Sequence, residues 1–187
     1  MTAAVTRIYT GKGDDGTTGL LYGGRVRKDD AVIDANGAVD EAQAALGLIR
    51  AEAEPGSELD EMLVQVEREL YVLMSELATA AANRHKLTPG VTMVTEDMVT
   101  EIGRRTDALG DRYTMPAELV IPGQNKVAAL CDYARTVIRR AERLALGVAA
   151  EGSHVVPYLN RLSSLLWAMG RWQEEGHSLL SRTSKET

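Results

Sequence analysis

The sequence predicts an all-α fold, a five-helix bundle that follows an irregular glycine-rich loop at the N-terminus. Two observations favour this fold class. From residue 30 onward, apolar residues recur every three to four positions, which is the period of an amphipathic helix. No segment shows the apolar and polar alternation that is typical of a half-buried strand. With 187 residues, of which 44% are hydrophobic, the chain is long enough to form one domain around a single core.

A short breaker segment separates the first two predicted helices. Residues 31–54 are rich in Ala, Leu, Glu and Gln, which are good helix formers. The breaker Pro55-Gly56-Ser57 ends this helix, and Ser57 is a suitable N-cap for the next one. A continuous apolar stripe then predicts the second helix, from about Glu58 to Asn83.

Three more helices complete the predicted bundle. They run from Thr95 to Leu109, from Val127 to Ala150 and from Pro157 to Glu175. Proline suits the first turn of a helix, which agrees with the start of the fifth. The connectors 84–94 and 110–125 are long, and long connectors are natural places for functional residues.

These elements divide one domain, residues 1–187, into three parts. Residues 1–30 form an N-terminal loop, residues 31–176 form the helical bundle, and residues 177–187 form a polar tail. We expect the tail to be flexible, since polar chain ends are often poorly ordered.

Charge and cysteine content argue against several classes of protein. A net charge of -6 does not suit a protein that works mainly by nonspecific attraction to nucleic acid or anionic membrane. The single cysteine, Cys131, lies in an apolar helical stretch, which predicts a core position. The three histidines are far apart, which disfavours a structural zinc site. We find no signal-peptide pattern and no apolar run of membrane-spanning length, so we expect a soluble cytoplasmic protein with no membrane or nucleic-acid partner.

The N-terminal loop contains a phosphate-loop pattern. Residues 11–16, Gly-Lys-Gly-Asp-Asp-Gly, match G-x-G-x-x-G letter for letter. That pattern indicates a dinucleotide site only between a strand and a helix of a βαβ unit, and the sequence predicts no such strand. Nearby cations, among them Lys12 and Lys28, leave two interpretations: a loop that cradles polyphosphate at a helix N-terminus, or a flexible polar arm.

The helices carry two further polar groups of interest. Asp40-Glu41 lies in the first helix, and the fourth contains "ARTVIRRAERLALG". Arg135 and Arg139 share a helix face by the i, i+4 rule, which suits an anion site or a solvated charged face. In the fifth helix, Asn160 lies among apolar neighbours, either as a buried hydrogen-bonded residue or as a ligand contact.

Four segments in order resemble the PduO-type ATP:cob(I)alamin adenosyltransferases. The matching residues are Ile8-Tyr9-Thr10, Gly13-Asp14-Asp15-Gly16 and Thr18; Arg27-Lys28-Asp29-Asp30, Gly37 and Val39-Asp40-Glu41; Pro122-Gly123, Ala134-Arg135 and Arg139-Arg140-Ala141-Glu142-Arg143; and Tyr158-Leu159-Asn160-Arg161-Leu162-Ser163. The resemblance spans residues 8–171, which is nearly the whole chain.

The resemblance implies a five-helix bundle that assembles as a homotrimer with active sites between subunits. It implies transfer of the 5'-deoxyadenosyl group of ATP to the cobalt of cob(I)alamin, with Mg²⁺ as cofactor. A flavoprotein reductase and an adenosylcobalamin-dependent mutase are implied as possible partners.

The resemblance also assigns roles to individual residues. The implied ATP contacts are Thr10, Gly11, Lys12, Gly13, Thr18, Lys28, Arg139, Arg140, Glu142, Arg143 and Asn160. The chemistry of this transfer makes Arg139 and Lys28 candidates for stabilising the leaving group. Glu142 and Asn160 are candidates for positioning the nucleotide or the metal, with Glu142 as the Mg²⁺ ligand. Asp40 is implied to pair with Arg135 across the subunit interface, on the corrinoid side.

The sequence departs from the family pattern mainly on the corrinoid side. Leu119 stands where the family usually has a phenylalanine that wedges under the corrin ring. Gln124, Asp132 and Ser164 replace a usual Gly, His and Asp. These departures leave an alternative open, a paralogue that binds ATP or adenosylcobalamin as a sensor or delivery module with little turnover.

Overall fold

The computed structural model describes residues 9–182 and confirms the predicted all-α class. Five α-helices form the body of the molecule: α1 (Ala31–Glu52), α2 (Glu58–Leu77), α3 (Glu96–Gly110), α4 (Lys126–Ala145) and α5 (Val155–Gln173). The predicted N-cap of α2 is confirmed, since the Ser57 side chain accepts a hydrogen bond from the Asp60 backbone N–H. In the described part of the chain, no helix is long and apolar enough to cross a membrane.

The largest differences from the predicted helix bounds are at the ends of α2 and α4, which both stop early. α2 stops at Leu77, and a 3-10 helix follows at Ala81–Lys86. The Ala78 carbonyl accepts a hydrogen bond of 2.8 Å from the Leu21 backbone N–H, so an N-terminal segment terminates the helix in a way that periodicity does not reveal. α4 ends at Ala145 and not at Ala150, just before Gly147, a residue type that disfavours helix.

A short β-hairpin precedes the bundle, and here the expectation of a chain without strands is wrong. β1 (Thr17–Gly19) pairs antiparallel with β2 (Arg25–Arg27). The turn uses Gly23 and Gly24 at φ values of 101° and 97°, a region that glycine adopts at little cost. The hairpin fixes the N-terminal loop at the end of the bundle where α1 begins and α2 ends.

The core lies along α4, which packs against α1 on one side and α5 on the other. Small residues let α1 and α4 approach closely, and they are fully buried: Ala35, Ala42, Ala134, Ala141 and Ala145. Cys131 is in this core as predicted, and burial raises the pKa of its thiol to about 12. The thiol is therefore protonated and unreactive at neutral pH.

A buried tyrosine and glutamate pair joins α5 to α2. The Tyr158 hydroxyl donates a hydrogen bond of 2.7 Å to Glu69 Oε2, and Gln65 Nε2 donates one of 2.7 Å to Glu69 Oε1. Burial and the neighbouring Glu69 raise the pKa of Tyr158 well above its ordinary value. The hydroxyl is therefore a permanent donor to the carboxylate.

Replacing Tyr158 with Phe is expected to lower the free energy of unfolding by about 1–3 kcal/mol, because one oxygen of the buried carboxylate loses its donor. Urea denaturation followed by circular dichroism measures this loss. Tyr71→Phe on the exposed face of α2 is the matched control, and it should leave the denaturation midpoint unchanged. Equal midpoints for both variants would contradict the role assigned to the pair.

Candidate active site

A cavity of about 680 Å³ opens between α3, α4 and α5. One wall is cationic, with Arg135 and Arg139 of α4, and another is aromatic, with Tyr113 and Trp167. The two rings meet edge to face, with centroids 6.2 Å apart. Burial raises the pKa of Tyr113 above its ordinary value, so its hydroxyl stays neutral. The lining also includes Asp107 and Asp111 at the end of α3, so it is the arginine wall, and not the cavity as a whole, that suits the anionic part of a ligand.

The two arginines of the cationic wall lie one helical turn apart, as the i, i+4 spacing predicts. The Arg135 Nε atom is buried and has no hydrogen-bond partner within the described chain. It lies 3.9 Å from Asp132 Oδ1. Arg139 is exposed at the cavity, and its backbone carbonyl accepts a hydrogen bond of 3.0 Å from Arg143 Nη1. Among the described residues, no ion pair holds the Arg139 guanidinium, so it is available to a ligand.

Behind this wall lies a buried ionic cluster that sequence reasoning missed. Arg171 is only 2% exposed, and its Nη2 atom donates to Asp132 Oδ2 at 2.7 Å and to Glu174 Oε1 at 2.9 Å. The guanidinium also lies 5.5 Å from the centroid of the Trp167 ring. The sequence singles out Asp132 only as a departure from the family pattern. The signal that could have pointed to Arg171 is its position as a charged residue within the apolar run "LLWAMGRW".

A second polar group lies where α4 faces α5, and it contains residues to which the family resemblance assigns ATP contacts. Asn160 Nδ2 donates a hydrogen bond of 2.9 Å to Glu142 Oε1. Arg140 instead turns toward α1 and forms an ion pair with Glu41. Among the described residues, no group of three acidic, histidine or cysteine side chains could hold a metal ion on its own. A single carboxylate such as Glu142 still suits Mg²⁺, which proteins often bind through one or two carboxylates together with substrate phosphates.

The N-terminal loop folds into two tight turns. Asp14 N–H donates to the Gly11 carbonyl and Gly16 N–H donates to the Gly13 carbonyl, both at 3.2 Å. The Lys28 Nζ atom lies 3.1 Å from the point where a Cβ on Gly13 would sit. A side chain at position 13 would therefore push the lysine away. Thr10, Lys12 and Thr18 belong to the same unit, which ends in β1, and Ile8 lies outside the described residues.

One subunit does not bring all of the predicted site residues together. Within residues 9–182, no hydrogen bond or ion pair joins Lys28 or the loop of residues 10–18 to α4 or α5. Asp40 is exposed and lines a separate cleft of about 450 Å³ between α1 and α2, together with Gly37 and Tyr71. Asp40 and Arg135 therefore face different cavities of the same chain.

Leu119 lies on the connector between α3 and α4 and is 80% exposed. The backbone of this connector pairs with the segment that the sequence predicts to be a flexible tail. The Ile121 N–H donates to the Leu179 carbonyl at 2.8 Å, and the Ser181 N–H donates to the Leu119 carbonyl at 2.7 Å. These bonds satisfy backbone groups at residues 179–181, and the flexibility of the tail stays a prediction. Residues 183–187 lie outside the described part of the chain.

Comparison with known proteins finds relatives along almost the whole chain. A corrinoid adenosyltransferase from Mycobacterium tuberculosis H37Rv is 37% identical over 176 residues, which cover 91% of this chain and 90% of the relative. A corrinoid adenosyltransferase from Bacillus subtilis is 36% identical, over 88% of this chain and 85% of the relative.

The fold has solved counterparts as well. A variant of the PduO-type ATP:corrinoid adenosyltransferase from Lactobacillus reuteri, complexed with cobalamin and ATP, superposes with a TM-score of 0.83. It is 24% identical, and the match covers 95% of this chain and all of the other. The model of the family described as cobalamin adenosyltransferase matches residues 8–173. This match, together with relatives of more than one-third identity, shows that the chain belongs to the cobalamin adenosyltransferase family.

Proposed function

We propose that this protein transfers the 5'-deoxyadenosyl group of ATP to the cobalt of cob(I)alamin and forms adenosylcobalamin and triphosphate. The observation that carries the proposal is the cationic wall of α4, with Arg135 and Arg139 at one cavity, in a chain of the cobalamin adenosyltransferase family. Relatives that share more than one-third of their residues are corrinoid adenosyltransferases.

The reaction needs no nucleophilic side chain. The Co(I) centre attacks the C5' carbon of ATP, a cobalt–carbon bond forms, and the C5'–O bond breaks. The electron pair of that bond leaves with triphosphate. The protein must hold C5' in line with cobalt and stabilise the negative charge on the departing group.

On the ATP side, Arg139 and Lys28 are proposed to stabilise the leaving triphosphate. Arginine and lysine both bind phosphate oxygens, and arginine does so in bidentate geometry. The further ATP contacts are proposed to be Thr10, Gly11, Lys12, Gly13, Thr18, Arg140, Glu142, Arg143 and Asn160. The hydrogen bond of 2.9 Å from Asn160 to Glu142 leaves Glu142 Oε2 free for another ligand. We propose Glu142 as the Mg²⁺ ligand, and the bound ion would supply further charge neutralisation at the phosphates.

On the corrinoid side, Leu119, Asp40 and Arg135 are the proposed residues. Asp40 and Arg135 face different cavities of one chain, which suits a pair formed between neighbouring subunits of a homotrimer. The Nε atom of Arg135 is buried and has no hydrogen-bond partner among the described residues. This is expected if its acceptor belongs to a neighbouring subunit. The same arrangement would bring the N-terminal loop of one subunit to α4 and α5 of the next.

Other assignments follow from the reaction and stay proposals. A flavoprotein reductase would supply the reduced corrinoid, and an adenosylcobalamin-dependent mutase would receive the product. A cytoplasmic location agrees with the need for a reducing compartment.

Leu119→Phe is expected to raise the rate of adenosylcobalamin formation from cob(II)alamin under a reducing system. A larger apolar side chain would exclude the lower axial ligand of the corrin more completely. The anaerobic rate with cob(II)alamin and a reductant measures this, and chemically prepared cob(I)alamin serves as the control substrate. An unchanged rate with cob(II)alamin would mean that another side chain covers the lower face of the ring.

The direct test of the proposed function is an anaerobic assay with ATP, Mg²⁺ and chemically reduced cobalamin. We expect repeated turnovers, seen as conversion to the adenosylcobalamin spectrum. Tight binding of adenosylcobalamin with less than one turnover per subunit would favour the sensor or delivery module instead.

A further inference from the structure

The C-terminal segment that follows α5 lies against the connector that carries Leu119. An isolated antiparallel bridge joins Val120 and Leu180. On either side of it, the Ile121 and Ser181 backbone N–H groups donate hydrogen bonds of 2.8 Å and 2.7 Å to the carbonyls of Leu179 and Leu119. The second of these bonds ends on the backbone of Leu119 itself.

Other contacts hold the two ends of the connector: Tyr113 packs against Trp167, and Asn125 Nδ2 donates a hydrogen bond of 2.8 Å to the Gln173 carbonyl. The middle of the connector, residues 114–124, is mostly exposed. No helix or strand forms between α3, which ends at Gly110, and α4, which begins at Lys126. Leu119 is 80% exposed and the nearby Met115 is 64% exposed, so packing of these side chains does not hold the connector in place. Backbone pairing with the C-terminal segment is therefore a main restraint on the position of Leu119.

The C-terminal segment is itself anchored to the buried ionic cluster behind the cavity. The Ser178 hydroxyl donates to Glu174 Oε2, while Glu174 Oε1 accepts from Arg171 at 2.9 Å. Arg171 also bonds Asp132, whose other oxygen lies 3.9 Å from Arg135 Nε. One buried cation thus connects the arginine wall of the cavity to the segment that holds the connector.

We propose that residues 178–181 act as a strap that positions the Leu119 connector for the corrinoid, with Ser178 and Glu174 as its anchor. The role of the strap rests on the proposed function, because that function places the corrinoid beside Leu119. None of these residues touches the reacting atoms, so they are positioning residues. Loosening the strap should weaken corrinoid binding and leave ATP binding intact.

The test compares Ser181→Pro, which removes the backbone N–H donor, with Ser181→Ala, which keeps it. We expect Ser181→Pro to raise the Kd for adenosylcobalamin and the KM for cob(I)alamin about threefold to tenfold. A change of this size corresponds to the net contribution of one hydrogen bond. The KM for ATP should stay at the wild-type value in both variants. Ser178→Ala, which leaves the backbone of the strap unchanged, should shift the corrinoid constants in the same direction and carries the test if Ser181→Pro does not fold.

Two results would overturn the strap. Corrinoid constants that are equal in Ser181→Pro, Ser178→Ala and the wild type would show that the segment does not position the connector. A rise of the same size in the corrinoid and ATP constants would show a general structural defect. Failure of the proposed function is a separate outcome, because the wild-type protein would then form no adenosylcobalamin, while its Kd for adenosylcobalamin can still be compared with those of the variants.

Discussion

Replacing Arg139 with Ala is expected to lower the turnover number for adenosylcobalamin formation about 100-fold to 1000-fold, the usual cost of removing a charge-stabilising group from a transition state. Arg139 is exposed at the cavity, and its guanidinium forms no ion pair within the described chain. Its positive charge can therefore interact with the triphosphate as the C5'–O bond breaks. The KM for ATP should change much less, because the leaving oxygen gains its negative charge only as the C5'–O bond breaks and not in bound ATP.

The control for this experiment is Arg104→Ala, an exposed arginine of α3 that pairs with Glu101 at 2.7 Å. It removes the same charge from a surface that has no role in the proposed site, so turnover should stay at the wild-type value. An Arg139→Ala variant with wild-type turnover would show that stabilisation of the leaving group belongs to another residue. Lys28 would then be the next candidate.

Replacing Arg171 with Met is expected to lower the free energy of unfolding by about 3–5 kcal/mol, because removal of one partner leaves buried charges without compensation. Asp132 and Glu174 are 5% and 2% exposed, and both accept hydrogen bonds from Arg171 Nη2. Methionine fills a similar volume, so lost packing would contribute little to the change. Guanidinium denaturation followed by circular dichroism measures the loss.

Arg161→Met on the exposed face of α5 is the matched control, and its unfolding free energy should stay close to that of the wild type. If Arg171→Met were as stable as Arg161→Met, the buried cluster would not be the ionic anchor that its geometry indicates. Such a result would also weaken the case for the strap, which is attached to the same cluster.

The helical bundle could be predicted from the sequence because each long helix repeats its apolar stripe several times. The stripe of α2 is an example, with Leu63, Leu70 and Leu73 all fully buried. The β-hairpin could not be predicted, because its strands of three residues each are too short to show an alternating pattern. The end of α2 could not be predicted either, because it depends on a hydrogen bond from Leu21, a residue far away in the sequence.

The candidate site could be predicted only where its residues share one helix. Arg135 and Arg139 line one cavity because they are four positions apart on α4. The pairing of Arg171 with Asp132 could not be read from the sequence, since it joins two helices through buried side chains 39 positions apart. The strap could not be predicted for a similar reason. The pairing of Leu119 with Ser181 uses only backbone atoms, so it does not require particular residue types at these positions.

Product analysis of the anaerobic reaction would show whether cobalt displaces triphosphate from C5' of ATP. Phosphorus NMR and the visible spectrum of the same sample would measure triphosphate and adenosylcobalamin together. We expect equal amounts of the two products at every time point. Formation of adenosylcobalamin with pyrophosphate and phosphate in place of triphosphate, or consumption of ATP with no cobalt–carbon bond formed, would contradict this displacement.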